Sequence, residues 1–507
     1  MDAGRFPSAL FEEVPAGLPV GPAWVTPSIS SPVVDAWTGE DLAQVPVADV
    51  ATAQSALTHA AQLCMAFAKI SSAVKKQVVS DCVEGLRRNR HLLEDLLILE
   101  TGKPRRDCRT EVARTISCWE ASVEEVGRNL GELVPVDLQP GGEGMTAWYR
   151  RRPLGAVVAI AGFNYPLLLA SHKIAPALAV GAPFILKPAP ATPLSALWLV
   201  SLVRRSLRSA GLDESIAQCL TGGAEVGNAL VSDERAAVVS FTGSAAVGHA
   251  IAKAAAPRRT VLELGSNAAL IVTGSANLDD AVDAVVRGAF YANGQACISI
   301  QRIIVTADVA EDFEDRLSEA VQRLAVGDPW DEETQVAALI DSAAGQRVQE
   351  TLQSARNAGA RTVARREAPE AVNARHAGGA LIMPELLADV SDDEALWNEE
   401  IFAPIAAVRR VGDLDEAFQV ANDSRYGLQA SIYTADLGEA LRAAEELEVG
   451  GVVVNQIPGF RSDVMPYGGV RDSGVGREGP RWAMEEYTVT RMVMMRMPSG
   501  AEQVGER

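Results

Sequence analysis

Residues 155–188 read GAVVAIAGFNYPLLLASHKIAPALAVGAPFILKP. Gly155–Ala161 is an apolar, β-rich run, Leu167–Val180 has the spacing of a helix, and Phe184–Lys187 is a second short apolar run. Short strands that are apolar on both faces and joined by a helix belong to a parallel sheet covered on both sides. Toward the carboxyl end the alternation continues. Pro193–Ala210, Ala224–Val231 and Ala245–Ala255 read as helices, and Ile216–Leu220, Ala237–Phe241 and Val261–Leu264 as strands. Five such strands separated by helices predict a doubly wound α/β sheet. A second alternating stretch runs from Ala269–Thr273 to Gly451–Asn455, with strands near Arg302–Thr306, Ile405–Val408 and Ser431–Thr434, and predicts a second α/β domain. Toward the amino end, Val50–Leu130 is helical, with a stop at Thr101-Gly102-Lys103-Pro104. Residues 1–45, rich in proline and glycine, read as an extended arm. Residues 131–151 read as a ribbon or hairpin, and Glu486–Met497 as an exposed strand whose apolar edge invites another subunit.

A chain of 507 residues exceeds one compact core, so two or more domains are expected. Its 66 acidic and 46 basic residues give a formal charge of −20, which argues against nucleic acid or an anionic membrane as partner. No apolar run is long enough to span a bilayer. The six cysteines show no CxxC pair and no clustering with the five histidines. Neither a disulfide framework nor a metal site is expected, and a reducing cytoplasm is the expected compartment.

Four features carry chemistry. Gly243-Ser244-Ala245-Ala246-Val247-Gly248 follows a strand and opens a helix, where backbone N–H groups can meet a pyrophosphate; a structural turn explains it about as well. Asn293-Gly294-Gln295-Ala296-Cys297 presents one thiol after a small, flexible turn, as a nucleophile requires, although buried cysteines before strands are common. Glu263 is a carboxylate inside an apolar strand. Burial raises its pKa toward a general base's range, unless it is a salt-bridged structural residue. Asn164 follows the first strand, at the sheet end where ligands bind, and its amide can donate to an oxyanion or simply form a turn. Together they supply a nucleophile, a base and an oxyanion donor beside a dinucleotide fold.

The chain resembles the aldehyde dehydrogenase superfamily over nearly its whole length after the first few dozen residues. The resemblance is carried by Thr101-Gly102-Lys103, Phe163-Asn164-Tyr165-Pro166, Lys187-Pro188-Ala189, Phe241-Thr242-Gly243-Ser244, Leu262-Glu263-Leu264-Gly265 and Gly294-Gln295-Ala296-Cys297. Further matches are Glu399-Glu400-Ile401-Phe402, Asn422-Asp423, Tyr426-Gly427-Leu428 and Pro466-Tyr467-Gly468-Gly469 leading to Ser473-Gly474. It implies a Rossmann-type dinucleotide-binding domain (1–130 and 152–263), an α/β catalytic domain (264–465) and a β oligomerisation element (131–151 and 484–499), assembled as a homodimer or homotetramer. It implies Cys297 as nucleophile, Glu263 as base, Asn164 with the Cys297 N–H as oxyanion hole, and Glu478 as a proton relay. NAD or NADP would be held by Ile160, Phe163, Lys187, Gly223, Gly243, Ser244, Leu264, Glu400 and Phe402. Pro190 stands where NAD-selective members often carry a glutamate, so a 2′-phosphate is admissible. Ser266 and Ala403 replace glycines usual in the family.

Ala170–Leu178, Glu263–Asn267, Cys297–Ser299 and Gly479–Glu486 are similar to the phosphonoacetaldehyde, lactaldehyde and non-phosphorylating glyceraldehyde-3-phosphate dehydrogenases. A small phosphonate, phosphate or carboxylate aldehyde is implied, met by Arg114, Tyr165 and Arg461, although both arginines could equally be structural. Tyr165 and Ala296 depart from the phosphonoacetaldehyde enzymes, which tend to carry His and Arg there. Rival readings are a CoA-acylating or succinate-semialdehyde-type dehydrogenase, a reductase of activated acids, and an inactive scaffold with the same fold.

Overall fold

The computed structural model describes residues 5–128, 131–369, 372 and 380–496. The ends of two expected elements, 129–130 of the helical stretch and 497–499 of the terminal strand, lie outside these, as do residues 1–4 of the expected arm.

The five expected strands form one parallel sheet. Ala156–Ile160 lies at its centre, with Phe184–Lys187 and then Ala217–Cys219 on one side, and Ala236–Thr242 and then Arg259–Glu263 on the other. The chain leaves the central strand in one direction and returns on the opposite side, so the switch point falls between Ala156–Ile160 and Ala236–Thr242. The carboxyl ends of strands diverge there, which opens a crevice. Gly474–Val475, from far along the chain, adds a sixth strand, antiparallel to Leu262 and Glu263. Pro166–Val180, the helix after the central strand, is buried along its whole length, as its apolar sequence requires.

The second sheet has seven strands. Glu385–Ala388, Ile405–Val411, Arg302–Thr306, Ala269–Val272, Gln429–Tyr433 and Gly451–Val454 run parallel in that order, and Arg361–Arg365 pairs antiparallel with Glu385–Ala388. These last two strands are additions to the sequence reading. Arg361–Arg365 is a half-exposed edge with arginines at both ends, and Glu385 puts a carboxylate in a buried strand, so neither shows an apolar run. Arg356 and Thr362 satisfy that carboxylate at 2.5 and 2.7 Å. A third, antiparallel sheet pairs Thr488–Arg496 with Met145–Pro153, and the latter with Leu133–Val134.

The amino-terminal stretch is not a simple extended arm. Leu18–Val20 pairs with Ala23–Val25, and Ser30–Val34 with Asp41–Pro46. The first hairpin docks on the parallel sheet because Leu18 is fully buried, and Gly21 N–H donates to Gln218 Oε1 at 2.7 Å. Four helices follow, Val50–Ala68, Ser72–Arg88, Arg90–Thr101 and Arg105–Glu125, and Gly102 ends the third in a left-handed conformation (φ 66°).

Two buried glutamates tie this helical layer to the helices Leu194–Ser209 and Pro166–Val180. Glu100 accepts from the Leu194 and Ser195 N–H groups, at 2.5 and 3.0 Å. Glu111 accepts from Leu167 and Leu168 N–H at 2.9 and 3.2 Å and pairs with the buried Lys103 ammonium. A carboxylate at a helix N-terminus satisfies free N–H groups and the helix dipole together. Lys103→Met would leave the Glu111 charge buried with only its two backbone N–H partners and no counter-ion. The expected loss is ~3–5 kcal/mol of stability, read from urea unfolding; an unchanged midpoint would refute this role for the anchor.

Candidate active site

A cavity of about 420 Å³ opens at the switch point and runs between the two large sheets. Thr242, Gly243, Ser244, Leu264, Gly265, Glu400 and Phe402 line one end, Arg114, Tyr165, Tyr291, Gly459, Arg461 and Tyr467 the other, and Asn164 and Cys297 face it as well.

Cys297 reaches this cavity through a clamped turn. Ala292, Asn293 and Gly294 all have left-handed φ, of 49°, 60° and 70°. Two of the three are not glycine, so the conformation must be held from outside. Asn293 is fully buried; its amide donates to Gly102 O at 3.1 Å and Ala338 O at 2.7 Å, and its oxygen accepts from Ala337 N–H at 2.7 Å. Ala292 N–H donates to Asp107 Oδ2 at 2.9 Å. Gly294 leaves no room for a side chain, since a Cβ would fall 2.1 Å from the Ala403 carbonyl carbon. The thiol beyond the turn is half-buried and lies 3.4 Å from the Tyr467 hydroxyl. Burial pushes it up to about 11, against the Tyr467 hydrogen bond, with Glu400 and Glu263 adding to the rise. The turn thus gives access but not the lowered pKa expected of an activated thiol. Of the charges that weigh most on the sulfur, two are carboxylates, and Arg461 is the cation opposing them.

Asn164 Nδ2 donates to Gln295 O at 2.9 Å, which aims the amide at the Cys297 turn and leaves its second N–H free for a ligand. Glu263 does not line the cavity wall. It is 3% exposed, neither carboxylate oxygen has a hydrogen-bond partner among the described residues, and a Cβ on Gly468 would sit 2.9 Å from Oε1. Burial first, and Glu478 next, raise Glu263 well above the usual carboxylate range. Glu478 is held low despite its own burial by Lys173, His172 and Arg461. Lys173 Nζ donates to Glu478 Oε1 and to Thr242 Oγ1, both at 2.7 Å. Two neighbouring carboxylates therefore carry about one negative charge, and it resides on Glu478.

At the other end the side chains themselves show how well a dinucleotide fits. Lys187 is buried, and its ammonium has no hydrogen bond or ion pair among the described residues; burial lowers its pKa. The stem is packed away while the ammonium is left without a protein partner among these residues, so it is available to a ligand. Its stem runs beside Gly227, where a Cβ would lie 3.6 Å away, in the helix Ala224–Ser232 that Gly223 precedes. Ser244 opens Ala245–Ala255 without a side-chain cap, so the helix N–H groups are available. Gly248 in that helix is needed for close packing on Leu264, since a Cβ would sit 2.3 Å from it. Glu400 accepts from Ser266 N–H at 3.1 Å and is pushed up to about 7 by burial. Phe402 meets Phe163 edge to face at 5.7 Å. Ile160, Lys187 and Gly223 lie outside the cavity lining. Neither Ser266 nor Ala403 has a positive φ, so neither position needs the glycine it replaces.

The two arginines differ. Arg114 is engaged by Asp463, Nη2 to Oδ1 at 2.9 Å and Nε to Oδ2 at 3.3 Å. Arg461 is 5% exposed at its side chain, stacks 3.7 Å above the Tyr467 ring and reaches Glu478 at 3.3 Å. Its Nε is buried without a partner among the described residues. Tyr165 is covered on one face by the Lys103 ammonium, 3.8 Å from the ring centre. His172 bridges Asp463 at 2.9 Å and Glu478 at 3.4 Å.

Such a site on a doubly wound sheet defines a dinucleotide-linked dehydrogenase with a cysteine at its centre. Residues 24–493 match the aldehyde dehydrogenase family, and the chain belongs to that family. It is 37% identical to a 3-sulfolactaldehyde dehydrogenase of Priestia aryabhattai, over 95% of this chain and 98% of the relative. Aldehyde dehydrogenase 21 of Physcomitrella patens, solved with the reaction product succinate, superposes with a TM-score of 0.89 at 32% identity, covering 96% and 99% of the two chains. The glyceraldehyde-3-phosphate dehydrogenase GapN of Methanocaldococcus jannaschii, complexed with NADP, gives 0.87 at 31% identity, covering 93% and 100%.

His172, Lys173, Asp463, Tyr467 and Arg347, which also lines the cavity, are site residues that the sequence does not single out. Lys173 and His172 lie within an unbroken helical run, and nothing local sets them apart. The Pro466-Tyr467-Gly468-Gly469 motif is visible in the sequence, but nothing in it gives the tyrosine a task. The raised thiol has a direct consequence. In protein free of cofactor, alkylation of Cys297 by iodoacetamide should climb about tenfold per pH unit between about pH 7 and about pH 10, because the thiolate fraction does. A plateau near neutrality, read by mass spectrometry of the Cys297 peptide, would contradict the effect of burial and of the facing carboxylates on this sulfur.

Proposed function

We propose that the protein oxidises a small anionic aldehyde to its carboxylic acid with NAD or NADP. The observation that carries this reading is the Arg461 guanidinium, buried in the same cavity as the Cys297 thiol and holding an unpaired Nε. Arg114, Arg461 and Lys173 supply three positive charges against two on Asp463 and Glu478, with Glu263 held toward its neutral form. With Arg347 adding a cation and Glu400 a partly ionised carboxylate, the site keeps an excess of positive charge, which suits an anionic aldehyde. Arg114, already paired with Asp463, contributes field more than contact. Tyr165 and Tyr291 shape the walls around the substrate.

Lys187, the Ser244 helix end and Glu400 with Phe402 would hold the cofactor, and Ile160, Phe163, Gly223, Gly243 and Leu264 would form the surrounding surface. When bound, it supplies the hydride acceptor. Cys297 Sγ attacks the carbonyl carbon, and the oxyanion meets the free Asn164 N–H and the backbone N–H of Cys297. After hydride loss the carbon is held as a thioester on Cys297. Glu263, once ionised, takes a proton from the attacking water, and Glu478, which the Lys173 ammonium holds ionised beside it, is the acceptor through which that proton would leave. A raised Glu263 pKa is what makes this base effective near neutrality.

The division into a dinucleotide-binding part, a catalytic part beginning near residue 264, and the ribbon of 131–151 with the terminal strand accords with the three sheets. Met492, Met494 and Met495 are exposed on that strand, which supports a homodimer or homotetramer joined along it. No helix among the described residues is long and apolar enough to cross a membrane. Six unpaired cysteines suit a reducing cytoplasm.

The test is a panel of carboxylate, sulfonate, phosphonate, phosphate and neutral short aldehydes with both cofactors, followed by nicotinamide absorbance with and without CoA. Anionic aldehydes should lead. Arg461→Ala should raise their KM about 10- to 100-fold, the worth of a charged hydrogen bond, while leaving the KM of neutral ones unchanged. Preference for neutral aldehydes would remove the substrate role of Arg461, and CoA-dependent turnover would favour an acylating enzyme. Asn164→Ala should lower kcat by ~10²–10³ with an unchanged unfolding midpoint; a kcat within about twofold of wild type would remove it from the oxyanion hole.

A further inference from the structure

We infer that the Tyr467 hydroxyl is a catalytic hydrogen-bond donor to the Cys297 thiolate, held in line by the Arg461 guanidinium stacked on its ring. The inference rests on the reading of Cys297 as nucleophile and adds a partner to it. Tyr467 Oη lies 3.4 Å from Sγ, within range for a sulfur acceptor. In the neutral thiol either atom could donate, but once the sulfur is ionised only the phenol can. The phenol keeps its proton, since burial raises its pKa well above 10, with Cys297 adding to the rise.

Three contacts fix the ring. The Arg461 guanidinium lies 3.7 Å from the ring centre, and a cation over the face draws electron density from the phenol and strengthens its O–H as a donor. Tyr467 N–H donates to Glu478 O at 3.1 Å, and Glu478 N–H to Tyr467 O at 2.7 Å, so the backbone is pinned on both sides. Ile298 and Leu428 pack beside it. The charged and titratable groups facing the thiol, besides Tyr467, are Glu400, Glu263, Arg461 and Tyr291. Two are carboxylates that oppose thiolate formation, and Arg461 acts from behind the ring. Tyr467 is therefore the neutral donor placed to accept the incoming charge on sulfur.

A thioester sulfur carries no charge and is a poor acceptor, so this hydrogen bond acts where the sulfur is anionic: in the attack on the aldehyde, and again as the thiolate leaves when the thioester is hydrolysed. Tyr467→Phe removes one oxygen and keeps the ring, the Arg461 stack and the backbone pairing. With full-length protein free of cofactor, iodoacetamide should alkylate Cys297 roughly 3- to 10-fold more slowly in the variant at each pH, because lost thiolate is partly offset by higher nucleophilicity. In stopped-flow assays the NAD(P)H burst should slow by a similar factor, deacylation should slow by no more than that, and cofactor affinity should be unchanged. Equal alkylation and equal burst rates, in a variant whose unfolding midpoint matches wild type, overturn the proposal. So does a variant in which only deacylation slows. Cys297→Ala separates this from the parent reading: retained turnover there would discard Cys297 as nucleophile, whereas the hydrogen bond itself is judged by alkylation of the thiol.

Discussion

The buried Asn293 amide holds the site together. It sits in a turn whose three successive left-handed residues would relax without it, and its three hydrogen bonds join the end of one helix at Gly102 to the strip at Ala337 and Ala338. Gly294 lets the same turn lie against the Ala403 backbone. Where Cys297 points, how far it stands from Asn164 and Tyr467, and which end of the cavity it faces all follow from this clamp. Strain of this kind persists only when surrounding contacts over-determine it, and here each neighbour of the turn is fixed by a separate segment.

Around that sulfur the electrostatics separate like groups. Glu263 and Glu478 are both deeply buried, yet one is driven toward its neutral form and the other toward its charged form. The difference comes from partners: Lys173, His172 and Arg461 gather on Glu478, while Glu263 has no hydrogen bond among the described residues. Carboxylates pushed apart in this way can divide acid and base tasks between them. The short Gly474–Val475 strand makes the pair possible, because it pairs with Leu262 and Glu263 and sets Glu478 a few residues further on.

Much of the architecture is legible in the sequence because buried parallel strands leave continuous apolar runs. Gly155–Ala161 and Arg302–Thr306 read plainly, and helix stops such as Thr101-Gly102 fall where the structure puts them. Arg361–Arg365 and Glu385–Ala388 are invisible, since charge in or beside a strand erases that signature and only a tertiary partner such as Arg356 explains it. The hairpins within residues 18–46 escape notice because strands of three to six residues are too short to show a period. At the site, motifs bring Cys297, Glu263 and Asn164 together on paper. Pairings across long separations cannot be read in the same way: Arg114 with Asp463, 349 residues apart, and Cys297 with Tyr467, 170 apart. Nor can the sequence show that the thiol's pKa rises, because that depends on which charges surround it in space.

Those separations bear on the order in which the molecule is made. Domains tend to consolidate from the amino end as the chain leaves the ribosome. Asp463, Tyr467, the Gly474–Val475 strand and Glu478 all follow Cys297 by more than a hundred and fifty residues, so the sulfur is translated well before these four partners of the site. A nascent or prematurely terminated polypeptide therefore has the thiol without its hydroxyl neighbour and the Glu263 strand without its outer edge. Chemical competence arrives only after residue 478 has joined the chain.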